Sequence, residues 1–232
     1  TKLNDSTATG QGVNDMKGGN VVMIGALKTL GALELLKNTH IIAYFTGDEE
    51  SSGFPHQVAR QDFIDRAKTT DIALGFEGAA GLNTVAVARR GIGGWKLNVE
   101  AKTGHSAGVF SESAGFGAIY EAARVINEFR TQLANEKYLT FNAGLMSGGS
   151  EIKVDPSAAK VEAIGKTNII SPAAYVAGDL RFISDVQRDQ AREKMRTIVS
   201  QSLNGTKSSI SFTDGLPAME PTEGNYRLVN FL

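Results

Sequence analysis

Apolar residues recur along the chain at two spacings, which predict alternating helices and strands in its first part. After a glycine-rich loop at residues 10–19, apolar positions recur at helical spacing over 21–30, and residues 58–67 repeat that pattern. Short runs of β-branched and aromatic residues at 41–45 and 71–76 predict two buried strands. The order helix, strand, helix, strand indicates a parallel α/β sheet with crossover helices.

The pattern changes at the glycine cluster of residues 91–94, which we interpret as a domain boundary. Residues 95–101 alternate apolar and polar positions, as a half-exposed antiparallel strand does. The remaining patterns predict helices at about 114–133 and 186–203, and strands at 139–146, 166–170, 174–182 and 208–212. This β-α-β-β-α-β order is that of a ferredoxin-like α+β sandwich. We therefore expect an α/β domain formed by residues 1–91 and 214–232, with an α+β domain of residues 92–213 inserted into it.

Composition narrows the classes of partner. A chain of 232 residues with 41% hydrophobic residues can bury a substantial core. Its 24 Lys and Arg against 25 Asp and Glu create no strong field of either sign, so neither nucleic acid nor an anionic membrane is expected as a partner. No apolar run approaches the roughly 20 residues of a membrane span. We expect a soluble protein, with cytoplasm and periplasm both open because the absence of cysteine fits either compartment.

Carboxylates follow both predicted strands of the first domain. Glu49 and Glu50 come directly after the first strand, Glu77 ends the second, and Asp15 precedes the first helix. Loops at one edge of a sheet can bring such residues together in a metal site, where one unliganded carboxylate would take a proton from a metal-activated water. Glu49 is the candidate for that base. The same acids could equally be turn and helix-cap residues.

Two residues of the second domain are candidates for binding an anion. His105 lies in a glycine-rich turn after a strand, from which its side chain could reach an oxyanion, although a solvent-facing turn histidine fits the spacing as well. Arg181 stands late in an apolar strand, where a half-buried guanidinium needs an anionic partner. Asp179, two residues earlier on the same face, could be that partner and would make Arg181 structural.

Together these residues resemble the M20 family of zinc metallopeptidases, in particular its glutamate carboxypeptidase branch. The matching segments recur in the family's order over most of the chain: 12–19 (GVNDMKGG), 46–50 (TGDEE), 76–77 (FE), 104–108 (GHSAG), 168–170 (NII) and 179–181 (DLR). The resemblance implies an α/β/α catalytic domain of the zinc-exopeptidase type, with the inserted ferredoxin-like domain serving as a lid and dimerisation domain.

The resemblance also implies a role for each candidate residue. Two zinc ions per subunit would be bridged by Asp15, with Glu50 ligating one and Glu77 the other, and Glu49 would be the general base. His105 would stabilise the tetrahedral oxyanion, often in the partner subunit of a homodimer, while Asn168 and Arg181 would hold the substrate carboxylate. The implied reaction is hydrolysis of an amide bond in a peptide or N-acyl amino acid that carries a free carboxylate.

The chain departs from the family pattern in its histidines. The family takes one zinc ligand from a His-x-Asp motif upstream of the position of Thr1 and another from a histidine beyond Leu232, and His40 and His56 stand at neither position. A smaller departure is Gly78, where many relatives have proline after the glutamate. We therefore expect the chain as given to be a fragment without activity of its own. The alternative is a degenerate relative that acts as a dimerisation and substrate-holding module.

Overall fold

A computed structural model describes residues 2–81, 83–155 and 160–231. It divides into two compact units, Thr1–Ala86 and Val87–Leu232. No helix in the described ranges is both long and apolar enough to cross a lipid bilayer.

The described part of the first unit contains three α-helices. A turn at Val13–Lys17 leads into α1 (Gly18–Ala32), and the second predicted helix is divided at Arg60 into α2 (His56–Ala59) and α3 (Gln61–Ala67).

The strands predicted at 41–45 and 71–76 are wrong as hydrogen-bonded strands, because neither segment has a strand assignment. Their apolar side chains are largely exposed, with Phe45 52% and Leu74 70% accessible. A strand is defined by the ladder it forms with a neighbour, and within the described part of this unit no neighbouring strand supplies one. The expected parallel sheet is therefore not formed there.

The second unit is built on a four-stranded antiparallel sheet covered by two helices. In chain order its elements are β1 (Gly91–Ala101), β2 (Gly104–His105), α4 (Ala118–Leu133), β3 (Thr140–Gly149), β4 (Glu151–Val154), β5 (Val161–Ile164), β6 (Ile169–Ile170), β7 (Ala173–Phe182), α5 (Asp185–Ser200), β8 (Thr206–Asp214) and α6 (Glu223–Val229). The main sheet has the order β3-β7-β1-β8, and every neighbouring pair is antiparallel. The sequence β1-α4-β3-β7-α5-β8 confirms the predicted α+β class and its β-α-β-β-α-β order.

One face of this sheet packs on α4 and α5, and the other we call the open face. Alternate residues of β1 and β7 point to the helices, so the apolar members of the predicted period-two pattern fill the core. The core side chains include Trp95, Leu97, Val99, Val125, Phe129, Leu133, Val176, Leu180, Met195 and Ile198. Trp95 packs edge-on against Phe129, with ring centroids 5.6 Å apart.

Two smaller ladders depart from the sequence prediction. Residues 151–154 and 161–164 pair as an antiparallel ladder that the pattern did not predict. Of the strand predicted at 166–170 only Ile169–Ile170 is formed, and it pairs with Gly104–His105. Both ladders depend on a tertiary partner rather than on a strong local pattern.

Candidate active site

In the first unit, a close backbone approach brings the segment carrying Asp15 towards Glu77. A Cβ on Gly19 would overlap the carbonyl oxygen of Phe76, so only glycine permits this approach. The two segments line a cavity of about 300 Å³ whose walls include Asn14, Met16 and Glu77. Asp15 lies between two of these lining residues and is itself exposed.

The acidic segment after residue 45 is arranged differently. Arg60 fixes its start by donating from Nη1 to Asp48 Oδ1 at 2.6 Å and from Nη2 to the Asp48 carbonyl at 3.2 Å. Glu49 and Glu50 themselves are exposed. His56 lies close by in sequence, with Nδ1 3.1 Å from Ser52 Oγ.

The predicted metal ligands do not form a cluster in this arrangement. Across residues 2–81, 83–155 and 160–231, no group of three or more His, Cys, Asp or Glu side chains is placed to hold a metal ion. Asp15, Glu50 and Glu77 also provide only oxygen donors, whereas zinc sites in proteins commonly include imidazole or thiolate. By themselves these three residues therefore do not fit a pair of zinc ions.

In the second unit, the short β2–β6 ladder brings His105 and Asn168 together. His105 pairs with Ile169, and the Ser106 N–H donates to the Asn168 carbonyl at 2.9 Å. The Ala107 N–H donates to His105 Nδ1 at 3.2 Å. Because Nδ1 then accepts a hydrogen bond, the neutral ring carries its proton on Nε2. His105 is exposed, so Nε2–H is available as a donor to an external oxygen.

Arg181 has the partner that its position in the strand required. Its Nε donates to Asp179 Oδ2 at 3.1 Å. The pair is not buried, because the Arg181 side chain remains 48% exposed and that of Asp179 38%. In the described part of the chain the Arg181 Nη atoms make no hydrogen bond. The ion pair orients the guanidinium and leaves its outer edge able to bind an anion.

His105 and Asn168 lie at the opposite end of the sheet from Arg181. Asn168 precedes β6, which leads directly into the start of β7 at Ala173, and Arg181 lies eight residues further along the same strand. At 3.3 Å per residue the strand places roughly 26 Å between these two ends. A small substrate cannot contact both ends within one chain.

Arg90 is a neighbour of Arg181 that sequence reasoning did not identify. Its Nη1 donates to Thr140 Oγ1 at 3.0 Å, and Thr140 lies directly opposite Arg181 in the β3–β7 ladder. The only signal in the sequence was its even-numbered position just before β1, which places it on the same face as Ile92.

An antiparallel sheet with two helices on one face, and with an exposed histidine and an exposed guanidinium at opposite ends, defines an α+β sandwich domain. Residues 87–207 match the family model described as Peptidase dimerisation domain, of the M20 peptidases. Because the match covers more than half of the chain, the chain belongs to this family.

Among individual proteins, the chain is similar to carboxypeptidase G2 of Pseudomonas sp. (strain RS-16). The two are 27% identical over 232 residues, which are 99% of this chain and 51% of the relative. The chain therefore spans about half the length of the curated relative it matches.

Among solved structures, it aligns with a tripeptidase from Staphylococcus aureus subsp. aureus Mu50, at 18% identity and a TM-score of 0.47, over 67% of this chain and 38% of that one. It also aligns with the aminopeptidase PepT from Bacillus cereus, at 17% identity and a TM-score of 0.46, over 66% of this chain and 36% of that one.

Proposed function

We propose that this chain is part of a hydrolase that cleaves the amide bond of a peptide or N-acyl amino acid carrying a free carboxylate. The observation that carries the proposal is the family match over residues 87–207, supported by the similarity to carboxypeptidase G2 over almost the whole chain. Two zinc ions are part of the proposal because of that membership alone. Asp15, Glu50 and Glu77 would be among the residues that hold them, together with imidazole ligands.

The proposed chemistry of the chain's own residues follows from their types and surroundings. Glu49 is an exposed carboxylate and would accept the proton of the attacking water. The Nε2–H of His105 would donate to the oxygen that becomes negative when the amide carbon turns tetrahedral. The free Nη edge of Arg181 and the amide of Asn168 would bind substrate oxygens.

We further propose that one active site takes residues from two chains. Since roughly 26 Å of strand separates Asn168 and His105 from Arg181 within one chain, a small substrate bound to Arg181 would need His105 and Asn168 from a second copy. A two-fold symmetric homodimer supplies both sites by the same exchange.

The surface proposed for this dimer is the outer face of α4 with the edge of β3 that faces away from β7. Ile119 and Tyr120 are 43% and 53% exposed on α4, and Met146 is 44% exposed on β3. Among the small residues of this helix, Ala118 and Ala122 are fully buried in the core, whereas Ala123 lies on the surface. An edge strand beside exposed apolar side chains suits pairing with a second copy.

A subunit-mixing experiment on the protein as encoded by its gene tests this proposal. Glu49→Gln and His105→Ala homodimers should each lack measurable turnover, with unchanged metal content in Glu49→Gln because the amide is nearly isosteric. Mixed in equal amounts under exchange, they should recover about a quarter of wild-type activity, because half of the dimers are mixed and each has one intact site.

The control mixes Glu49→Gln with a variant that carries both Glu49→Gln and His105→Ala. This mixture should recover no activity, because neither chain supplies Glu49. If both variants are dimeric and the first mixture recovers no activity, each active site takes His105 and Glu49 from the same chain, and the shared-site proposal is wrong.

A wild-type protein that hydrolyses no carboxylate-bearing amide would refute the hydrolase proposal. That result would favour the second candidate, a dimerisation and substrate-holding module.

A further inference from the structure

Two arginines share one end of the open face of the sheet. Thr140 and Arg181 are directly opposite in the β3–β7 ladder, so their side chains project to the same face. Arg90 reaches this face as well, since its Nη1 donates to Thr140 Oγ1 at 3.0 Å. Cβ atoms of directly opposed residues lie only about 5 Å apart. The Arg90 guanidinium is therefore held beside the base of the Arg181 side chain.

The charges at this end of the sheet do not balance. Asp179 pairs with Arg181 through a single hydrogen bond, at 3.1 Å. In the described ranges Arg90 has the Thr140 hydroxyl as its partner and no carboxylate. An arginine side chain carries a positive charge, so these two cations share one ion-paired carboxylate. An anion placed between them would remove their repulsion.

The unused donors are also suited to an anion. Arg181 uses Nε and keeps both Nη groups, while Arg90 uses Nη1 and keeps Nε and Nη2. A guanidinium edge with two free N–H groups matches the two oxygens of a carboxylate. The hydroxyl of Thr140 accepts from Arg90 and carries no charge, so it orients that side chain without neutralising it.

We propose that Arg90 is a second cationic contact for the substrate carboxylate, which is held between Arg90 and Arg181 at this end of the open face. The proposal rests on the proposed function in one respect, namely that Arg181 binds the carboxylate of the substrate. Thr140 acts as a positioning residue for Arg90. Arg90 thereby increases the preference for a free carboxylate over the corresponding amide.

The test measures binding rather than turnover. Hippurate, an N-acyl amino acid with one carboxylate, is titrated into the 232-residue chain with EDTA present, and the arginine Nε–Hε signals are followed by nitrogen-15 NMR. The signals of Arg90 and Arg181 should shift along one binding curve. Arg90→Gln should raise the Kd about tenfold, the size expected for losing a hydrogen bond to a charged group. Hippuramide, which lacks the charge, should bind more weakly and be unaffected by Arg90→Gln.

Arg89 provides a matched control. Arg89 is adjacent to Arg90, and Arg89→Gln removes the same charge as Arg90→Gln. The backbone of Arg89 forms a β-bridge with Met219. Neighbouring residues of extended chain point to opposite faces, so Arg89→Gln should leave the Kd within about twofold. Thr140→Val should raise the Kd about threefold, less than Arg90→Gln, because it removes only the group that orients Arg90.

Three results would overturn the proposal. The first is an equal loss of hippurate affinity in Arg89→Gln and Arg90→Gln. The second is an Arg90 NMR signal that stays fixed while the Arg181 signal shifts. The third is no binding of hippurate at millimolar concentrations. Because no turnover is required, the experiment separates this proposal from the hydrolase proposal. A chain that binds hippurate through both arginines supports the subsite whatever the result of the subunit-mixing experiment.

Discussion

Glu121 offers a sharp test of what holds the second unit together. Its side chain is fully buried in α4 yet accepts four hydrogen bonds. Two come from Arg124, from Nε at 2.9 Å and Nη2 at 2.7 Å. The Leu203 N–H and the Ser208 hydroxyl each donate at 3.0 Å. One carboxylate thus connects α4 to the segment after α5 and to β8.

Changing Glu121 to Gln keeps the shape but replaces one acceptor oxygen with an NH₂ group that faces donors. Removing one partner of a buried ion pair typically costs 3–5 kcal/mol. The Arg124 side chain is 20% exposed and can partly return to water, which reduces the penalty. We therefore expect the free energy of unfolding to fall by about 3 kcal/mol at neutral pH.

The effect should depend on pH with a definite sign. Burial alone raises the pKa of Glu121, but the hydrogen bonds from Arg124, Leu203 and Ser208 together hold it below its ordinary value. A carboxylate with a depressed pKa stabilises the fold above its unfolded pKa of about 4.3 and loses that contribution as the pH falls through the folded pKa. The stability difference between wild type and Glu121→Gln should therefore be full at pH 7 and narrow below about pH 4.3.

Urea unfolding followed by tryptophan fluorescence measures this difference. Trp95 is the only tryptophan of the chain and is 2% exposed in the same core, so its emission reports on this unit alone. Glu128→Gln, on the same helix, is the control and should change the free energy by less than about 0.5 kcal/mol. A Glu121→Gln protein within about 1 kcal/mol of wild type at pH 7 would refute this account of the network.

Two further changes in the same unit have opposite expected signs, and the same unfolding assay measures both. The Tyr175 hydroxyl is buried without a hydrogen-bond partner in the described structure, and desolvation raises the pKa of Tyr175. Tyr175→Phe should therefore increase the free energy of unfolding by about 1 kcal/mol, and a decrease of that size would reveal a partner. Gly178→Ala should lower it by about 3 kcal/mol, because the new Cβ would overlap the Asn142 carbonyl and lie 2.6 Å from the Trp95 ring. In Gly144→Ala the new Cβ would lie 3.3 Å from Asn142 Nδ2, so this change should lower the free energy of unfolding clearly less. Equal losses of stability in the two variants would show that steric overlap is not the cause.

The helices and long strands of the second unit were predictable because their patterns are local. Residues of α4 that face the core recur every three or four positions, and those of β1 alternate. The helix predicted from 114 begins at Ala118, because Gly117 takes a φ of 80° immediately before it.

Pairing could not be predicted in the same way. The runs at 41–45 and 71–76 have strand composition, yet no ladder forms there in the described structure. Residues 151–154 and 161–164 have weak patterns, yet they pair. A strand exists only when a second segment satisfies its N–H and C=O groups, and that segment can lie anywhere in the chain.

For the candidate site, the sequence by itself determined which chemical groups are available: the carboxylates at 15, 49, 50 and 77, the imidazole at 105, the amide at 168 and the guanidinium at 181. Only the tertiary structure decided which of them are neighbours. It joined His105 to Asn168 through a two-residue ladder, gave Arg181 both Asp179 and Arg90 as neighbours, and left the acids of the first unit without a metal-binding cluster in the described residues. The physical reason is that residue type sets charge and donor capacity locally, whereas distance between groups depends on long-range packing and strand register.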